Sequence, residues 1–229
     1  MSAVPQQLST YIEDKATLAR KNMSTKTMFD PVLGMGQWQD LAGKLIAGLS
    51  WLHNEAQVVH GDIKPHNILL RPCPIAAAPG HDNFPFEPLF ADFSSAHDLA
   101  CPSTTGENGG GTSMAALTPP FTAPEFLVLS SLASSDAVPT TASDVFSMAI
   151  TLLAAATGDL LLYPGSNNMQ RLAMAREGHN VLDFVRSGGN GCRVPRNGAV
   201  EQTIKPGITK DPAQRILPET WLGLVQNLA

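Results

Sequence analysis

Thirteen consecutive residues constrain this chain more than any other stretch: Val58-Val59-His60-Gly61-Asp62-Ile63-Lys64-Pro65-His66-Asn67-Ile68-Leu69-Leu70. Apolar runs at either end read as short buried strands. Between them lies a polar turn, in which Gly61 lets the backbone bend sharply and Pro65 stiffens it. The turn carries a carboxylate (Asp62), an ammonium two residues on (Lys64) and an amide three further (Asn67). An acid, a cation and an amide in this order suit phosphoryl transfer. That reaction asks for a group to orient the attacking hydroxyl, a cation on the moving phosphate and oxygen ligands for Mg²⁺. An ordinary polar turn would join the strands as well, so the rest of the chain decides.

Upstream, residues 8–21 read as a helix, with Thr10-x-x-Glu13 as a capping box and Leu8, Ile12 and Leu18 as its apolar contacts. Gly34-Met35-Gly36 lacks a third glycine and precedes a helix, so it reads as a lead-in loop and not a phosphate cradle. A second helix, Trp38–Asn54, carries Leu41, Leu45, Leu49 and Leu52 on one stripe and delivers the chain into the Val58 strand. Downstream, residues 72–88 are rich in proline and alanine and read as a loop inserted at a hairpin tip. Leu89-Phe90 resumes the strand and leads to Ala91-Asp92-Phe93-Ser94. A glycine-rich stretch, Cys101–Ser113, precedes the turn Leu117–Glu125 and an apolar helix start at Phe126.

Ser143-Asp144 fits the cap of a helix that is apolar on every side and stops at Gly158, the mark of a buried central helix. Asn168–Glu177, Asn180–Arg186 and Pro218–Leu228 read as further helices. His53, His97 and His179 stand singly, without metal-ligand spacing, so surface or capping roles are expected.

Composition narrows the function classes. At 229 residues and 43% apolar, the chain fits one domain with one core. A net charge of −5 without any basic run argues against nucleic acid or an anionic membrane as the main partner. Cys73, Cys101 and Cys192 are odd in number and form no CxxC pair, which points to reduced thiols. No stretch has the pattern of a signal peptide or the length of a membrane span, so a cytoplasmic setting is expected.

Taken together, these segments resemble the eukaryotic protein kinase family. His60-Gly61-Asp62-Ile63-Lys64-Pro65-His66-Asn67 is similar to the catalytic loop HRDLKxxN, and Asp92-Phe93-Ser94 to the metal-binding DFG. Ala123-Pro124-Glu125 matches APE, Ser143–Ser147 resembles the start of the central helix, and Asp211-Pro212-Ala213-Gln214-Arg215 resembles the late DPxxR segment. Small-molecule kinases of the aminoglycoside phosphotransferase type also use HGD, but lack the APE element and Arg215.

The resemblance implies an α+β kinase-like fold, of which this chain is the mainly α C-terminal lobe with a small catalytic-loop hairpin. It implies a single kinase domain over 1–229 with an activation segment over 92–125. Asp62 would orient the substrate hydroxyl and Lys64 would neutralise the transferring phosphoryl group. Asn67 and Asp92 would hold Mg²⁺, Leu69 would pack under the adenine of ATP, and Thr118 would bond the catalytic aspartate and lysine. Lys64 with Thr118 favours serine or threonine over tyrosine. Glu125 and Arg215 would form a buried ion pair, whose breaking typically costs ~3–5 kcal/mol. Asp144 would accept bonds from the catalytic-loop backbone, act as a helix cap, or both.

Three departures from the family pattern matter. Gly61 replaces the arginine that pairs with activation-loop phosphate, so phosphate on Thr104, Thr105, Thr112 or Ser113 lacks its main partner. Ser94 replaces glycine, at an expected backbone cost of about 1 kcal/mol or more. The sequence holds no glycine-rich phosphate loop, strand lysine or helix glutamate of an N-terminal lobe. Losing one preorganised donor usually costs ~10²–10³ in rate. The expectation is a serine/threonine kinase lobe that transfers phosphate barely by itself. The alternative is a pseudokinase that binds a protein partner.

Overall fold

The computed structural model describes residues 6–73, 82–100, 118–127, 138–163 and 167–228. In chain order its strands are β1 (Gln6–Gln7), β2 (Val58–Val59), β3 (Ile68–Pro72), β4 (Phe86–Phe90) and β5 (His97–Asp98). Its α-helices are α1 (Leu8–Lys21), α2 (Met35–Asn54), α3 (Thr141–Thr157), α4 (Asn168–Arg176), α5 (Val181–Arg186), α6 (Ala199–Ile204) and α7 (Pro218–Leu228). The architecture is mainly helical with two small antiparallel sheets, in the order β1-β3-β4 and β2-β5. The expected hairpin is β3–β4, with Ile68 opposite Phe90 and Pro72 opposite Phe86.

Helix α3 is the axis. Every residue from Ser143 to Thr157 is buried, as a helix apolar all round must be. Trp38 of α2 is fully buried and donates its indole N–H to the Leu152 carbonyl at 2.9 Å. Val32 N–H reaches the Ala156 carbonyl at 2.9 Å, and Gly158 ends α3 with φ +73° in the left-handed region. At the far end Trp221 donates to the Thr203 carbonyl at 2.8 Å, which ties α7 to α6. The leucine stripe of α2 is buried throughout.

Several local expectations need correction. Thr10-x-x-Glu13 does not cap α1: the N-cap is Gln7, without a side-chain bond. Pairing of Gln6 and Gln7 with Leu70 and Leu69 sets where the helix begins. Leu18 is exposed, because Leu8, Ile12 and Ala16 define the buried face and position 18 lies off it. Helix α2 starts at Met35, directly after the Gly34 lead-in, three residues earlier than expected. Helix α3 is capped by Thr140, which forms a capping box with Ser143; Asp144 is not the cap.

The 72–88 insertion is also shorter than expected, because Pro72 and Phe86–Pro88 belong to the ladder; residues 74–81 lie outside the described ones. Its returning leg is packed, not loose. Phe84 is fully buried and meets Tyr11 edge-on at 5.5 Å. Lys44 Nζ donates to the Phe84 and Phe86 carbonyls at 3.1 and 3.3 Å, while Asp40 accepts from Phe84 N–H at 2.9 Å. At Phe126 a single 3-10 turn, Pro124–Phe126, stands where a helix start was expected, and 128–137 lie outside the described residues. Helix α6 was not anticipated. Cys73 and Cys192 are free thiols; Cys101 lies outside the described residues. Among the described residues no helix is long and apolar enough to cross a membrane.

Candidate functional site

The loop between β2 and β3 gathers Asp62, Lys64 and Asn67. The Asp62 carboxylate lies 2.7 Å from Lys64 Nζ, both side chains being largely shielded. Asn67, itself buried, donates its amide to the Asp62 carboxylate and to the Asp62 backbone carbonyl, each at 2.9 Å. That orientation leaves Asn67 Oδ1 as the acceptor end of the amide. Lys64 Nζ also donates to Thr118 Oγ1 at 3.2 Å, which joins the loop to the turn before Ala123-Pro124-Glu125. Asp62 and Thr118, 56 positions apart in sequence, thus converge through Lys64 on one polar cluster.

His60 is the hinge pin of this loop. It is fully buried, accepts from Asp62 N–H through Nδ1 at 3.3 Å, and donates through Nε2 to the Ala91 carbonyl at 3.1 Å. Those two partners require a neutral ring protonated at Nε2. The ring lies 4.7 Å from that of Phe93, so it braces the segment that carries Asp92.

Beneath the loop, Asp144 is 1% exposed and accepts three N–H groups: His60 N at 2.8 Å, Gly61 N at 2.9 Å and His53 Nε2 at 3.0 Å. The backbone-anchoring role implied for Asp144 is therefore formed. His53, expected at the surface or as a cap, is instead buried against it. The signal was present: Leu41, Leu45, Leu49 and His53 recur every fourth residue along the same buried stripe. Gly61 has φ +79°, and a Cβ there would stand 2.5 Å from the Ser95 carbonyl. The position needs glycine for its backbone as well as lacking an arginine.

Asp92 sits opposite, exposed, in the left-handed region at φ +62°. Ser94 has no positive φ, so the strain expected there is absent; Asp92 carries the unusual conformation instead. Ser94 supports it, donating Oγ–H to Asp92 Oδ1 at 2.6 Å and N–H at 3.4 Å. These two bonds, with the Lys64 ammonium nearby, hold the Asp92 carboxyl below the ordinary carboxylate range. The His66 imidazole is pushed down, by burial first and then by Lys64. Leu69 is half-buried on β3, between Gln7 and Leu89.

Glu125 and Arg215 meet as expected, in a two-pronged pair at 2.8 and 2.7 Å. Arg215 also donates to the Ala142 and Thr209 carbonyls at 2.9 and 3.1 Å and lies 5.1 Å from the Phe146 ring centre. The turn after Thr118 is thereby fastened to the start of α3 and to the segment before α7.

Among the described residues no cluster of three or more His, Cys, Asp or Glu side chains could hold a metal by itself. Asn67 and Asp92 carry oxygens of the kind Mg²⁺ takes when it is shared with phosphates, where one or two protein oxygens are completed by phosphate and water. The residues of the activation segment from 101 to 117 lie outside the described ones, Thr104, Thr105, Thr112 and Ser113 among them. No curated protein matches the chain. The family model for the protein kinase domain matches residues 6–220, nearly the whole length, and the chain belongs to the protein kinase domain family.

Proposed function

We propose that the chain is the C-terminal lobe of a serine/threonine protein kinase and carries the substrate-facing half of its phosphoryl-transfer site. The observation that supports this best is the Asp62–Lys64–Asn67–Thr118 cluster, held from below by Asp144. In this reading Asp62 accepts the hydrogen bond of an incoming serine or threonine hydroxyl and fixes its line of attack. Asn67 keeps the Asp62 carboxylate in one rotamer through its amide, and its Oδ1 would serve as one of the protein oxygens on Mg²⁺. Lys64, lying between Asp62 and Thr118, meets the negative charge that grows on the transferring group. Asp92, kept ionised by Ser94, offers the second metal oxygen. MgATP, when bound, supplies the phosphoryl group and the metal charge.

A polypeptide of residues 1–229 offers only this half of the site, since its own residues include no glycine-rich cradle or strand lysine for the α- and β-phosphates. It transfers phosphate at a small fraction of a complete kinase's rate and shows no thermal shift with MgATP below millimolar concentration. A clear shift under those conditions overturns this. The catalytic assignment is tested on the protein as expressed natively, with ATP-dependent labelling of serine, threonine and tyrosine peptides. Asp62→Ala lowers labelling by about 10²–10⁴-fold. Full activity of that variant, or a preference for tyrosine peptides, refutes the assignment.

A further inference from the structure

Away from the Asp62 cluster, α5, the turn before α6, α6 itself and the segment that follows enclose a groove of about 630 Å³. Its wall and floor bring together Arg186, Arg196, Lys205 and Lys210 against only Asp183 and Glu201. In a chain with 20 acidic and 15 basic residues, this is a local reversal of charge. The groove opens beside an apolar hollow of about 510 Å³, lined by Pro206, Ile216 and Leu224, with Lys205 and Glu201 common to both.

The cations are not equivalent. Arg186 is spent internally: it meets Glu201 at 3.0 Å and donates to the Val194 carbonyl at 2.9 Å. Glu201 is correspondingly fixed as an anion. Burial pushes its carboxyl up, but the Asn197 N–H and Arg186 outweigh that and hold it below the ordinary range. Arg196, Lys205 and Lys210 are exposed, and none lies within 4 Å of a carboxylate among the described residues, although Lys205 is near enough to Glu201 to help lower its pKa. Nothing in the proposed phosphoryl-transfer site uses them.

From this juxtaposition we infer that the groove docks an acidic segment of a partner protein, with one bulky apolar side chain seated in the hollow beside Lys205. Charge complementarity selects carboxylates for the three unpaired cations. The Pro206–Ile216–Leu224 hollow selects an aliphatic or aromatic anchor, which a nucleic-acid backbone does not offer. Asp183 and Glu201 break the positive field where a continuous phosphate chain would need it. A concave groove also fits an extended peptide better than a lipid surface. This inference does not depend on whether the lobe transfers phosphate.

The test uses the 229-residue chain and fluorescein-labelled twelve-residue peptides, read by fluorescence anisotropy at low and physiological salt. One peptide carries a glutamate run followed by Leu-Phe, a second has Ala-Ala in place of Leu-Phe, and a third has lysines in place of the glutamates. The first binds, while the second and third bind at least about tenfold more weakly. The double variant Lys205→Glu/Lys210→Glu, and separately Arg196→Glu, weaken binding of the first by about tenfold or more without lowering the melting temperature; all three positions are exposed. Failure of the first peptide to bind overturns the inference, as does its equal binding to the charge-reversed variants. Equal binding of the Ala-Ala peptide removes the anchor. Equally tight, groove-dependent binding of a single-stranded oligonucleotide of matched charge, or of anionic vesicles, removes the protein segment as occupant.

Discussion

Arg215 and Glu125 allow a stability argument to be worked from position alone. The Arg215 side chain is 1% exposed and that of Glu125 is 27% exposed. The two deletions are therefore unequal. Glu125→Ala strands a guanidinium that cannot reach water, with only the Ala142 and Thr209 carbonyls and the Phe146 face to solvate it. A buried charge left alone costs about 3–5 kcal/mol, and this burial points to the middle of that range or above. Arg215→Met keeps the volume, and Glu125 is open enough to regain water. What is lost is chiefly the bonds to two carbonyls, about 1 kcal/mol each, together with part of the Glu125 interaction, or about 2–3 kcal/mol in all. The double variant has no stranded charge and should resemble Arg215→Met.

The double-mutant cycle then gives a coupling equal to the whole Glu125→Ala cost, about 4 kcal/mol. The assay is urea unfolding of the 229-residue chain, followed by fluorescence of the fully buried Trp38 and Trp221. Molar salt should leave the coupling largely intact, since screening acts mainly on exposed charges. A coupling below about 1 kcal/mol, the range of exposed pairs, would refute the reasoning. So would an Arg215→Met cost larger than that of Glu125→Ala.

Three further outcomes follow from other parts of the molecule. Gly61→Ala places a Cβ 2.5 Å from the Ser95 carbonyl at a positive φ, and thermal unfolding should register a loss of about 1–3 kcal/mol; an unchanged midpoint refutes the backbone argument. Ser94→Gly removes the main cause of the lowered Asp92 pKa, so the Asp92 carboxyl, followed by its ¹³C shift, should titrate at higher pH than in the parent chain. Because the native pKa lies below the ordinary value, the carboxylate form persists to lower pH in the parent, and the variant protonates first as pH falls. Asp144→Ala leaves the N–H groups of His60, Gly61 and His53 without their acceptor and should cost about 3–5 kcal/mol in urea. Hydrogen exchange at the His60 and Gly61 amides should accelerate in step, and unaltered protection there would sink the anchoring role.

The parts of the site that were legible in the sequence are those in which chemistry sits on short contiguous segments. Asp62, Lys64 and Asn67 lie within six residues, and the spacing of a turn between buried strands already implies their convergence. Burial of α3 was legible too, because an all-round apolar helix has only one place to go. What was not legible depended on pairs far apart in the chain. The capping box at Thr140–Ser143 needed the backbone path before α3, and α1, whose bounds Leu8–Lys21 were read correctly, enters from the pairing of β1 with β3 and not from a side-chain cap. Ser94 was read as strained because glycine is the usual residue there, whereas the backbone places the positive φ two residues earlier, at Asp92. Helix α6 is too short for periodicity to declare it, and the groove it borders takes its cations from separate segments, none of which is a basic run.

Asp144 shows why legibility and rigidity separate. A polar turn such as 60–67 has many conformations open to it, and the entropy of fixing each residue costs about 1–2 kcal/mol. The loop's own side-chain bonds among Asp62, Lys64, Asn67 and Thr118 are only partly shielded, and in the proposed function they involve the oxygens that substrate and metal would use. They must loosen whenever a substrate or metal competes for the same oxygens. The bonds from His60 N and Gly61 N to Asp144 end on a carboxylate that is 1% exposed and shielded from solvent. Asp144 in turn is held by His53 from α2 and by its own position in α3. The loop can therefore exchange partners on its outer side while its backbone stays fixed from within. That division of labour requires a carboxylate 82 residues beyond Asp62 and a histidine nine residues before it.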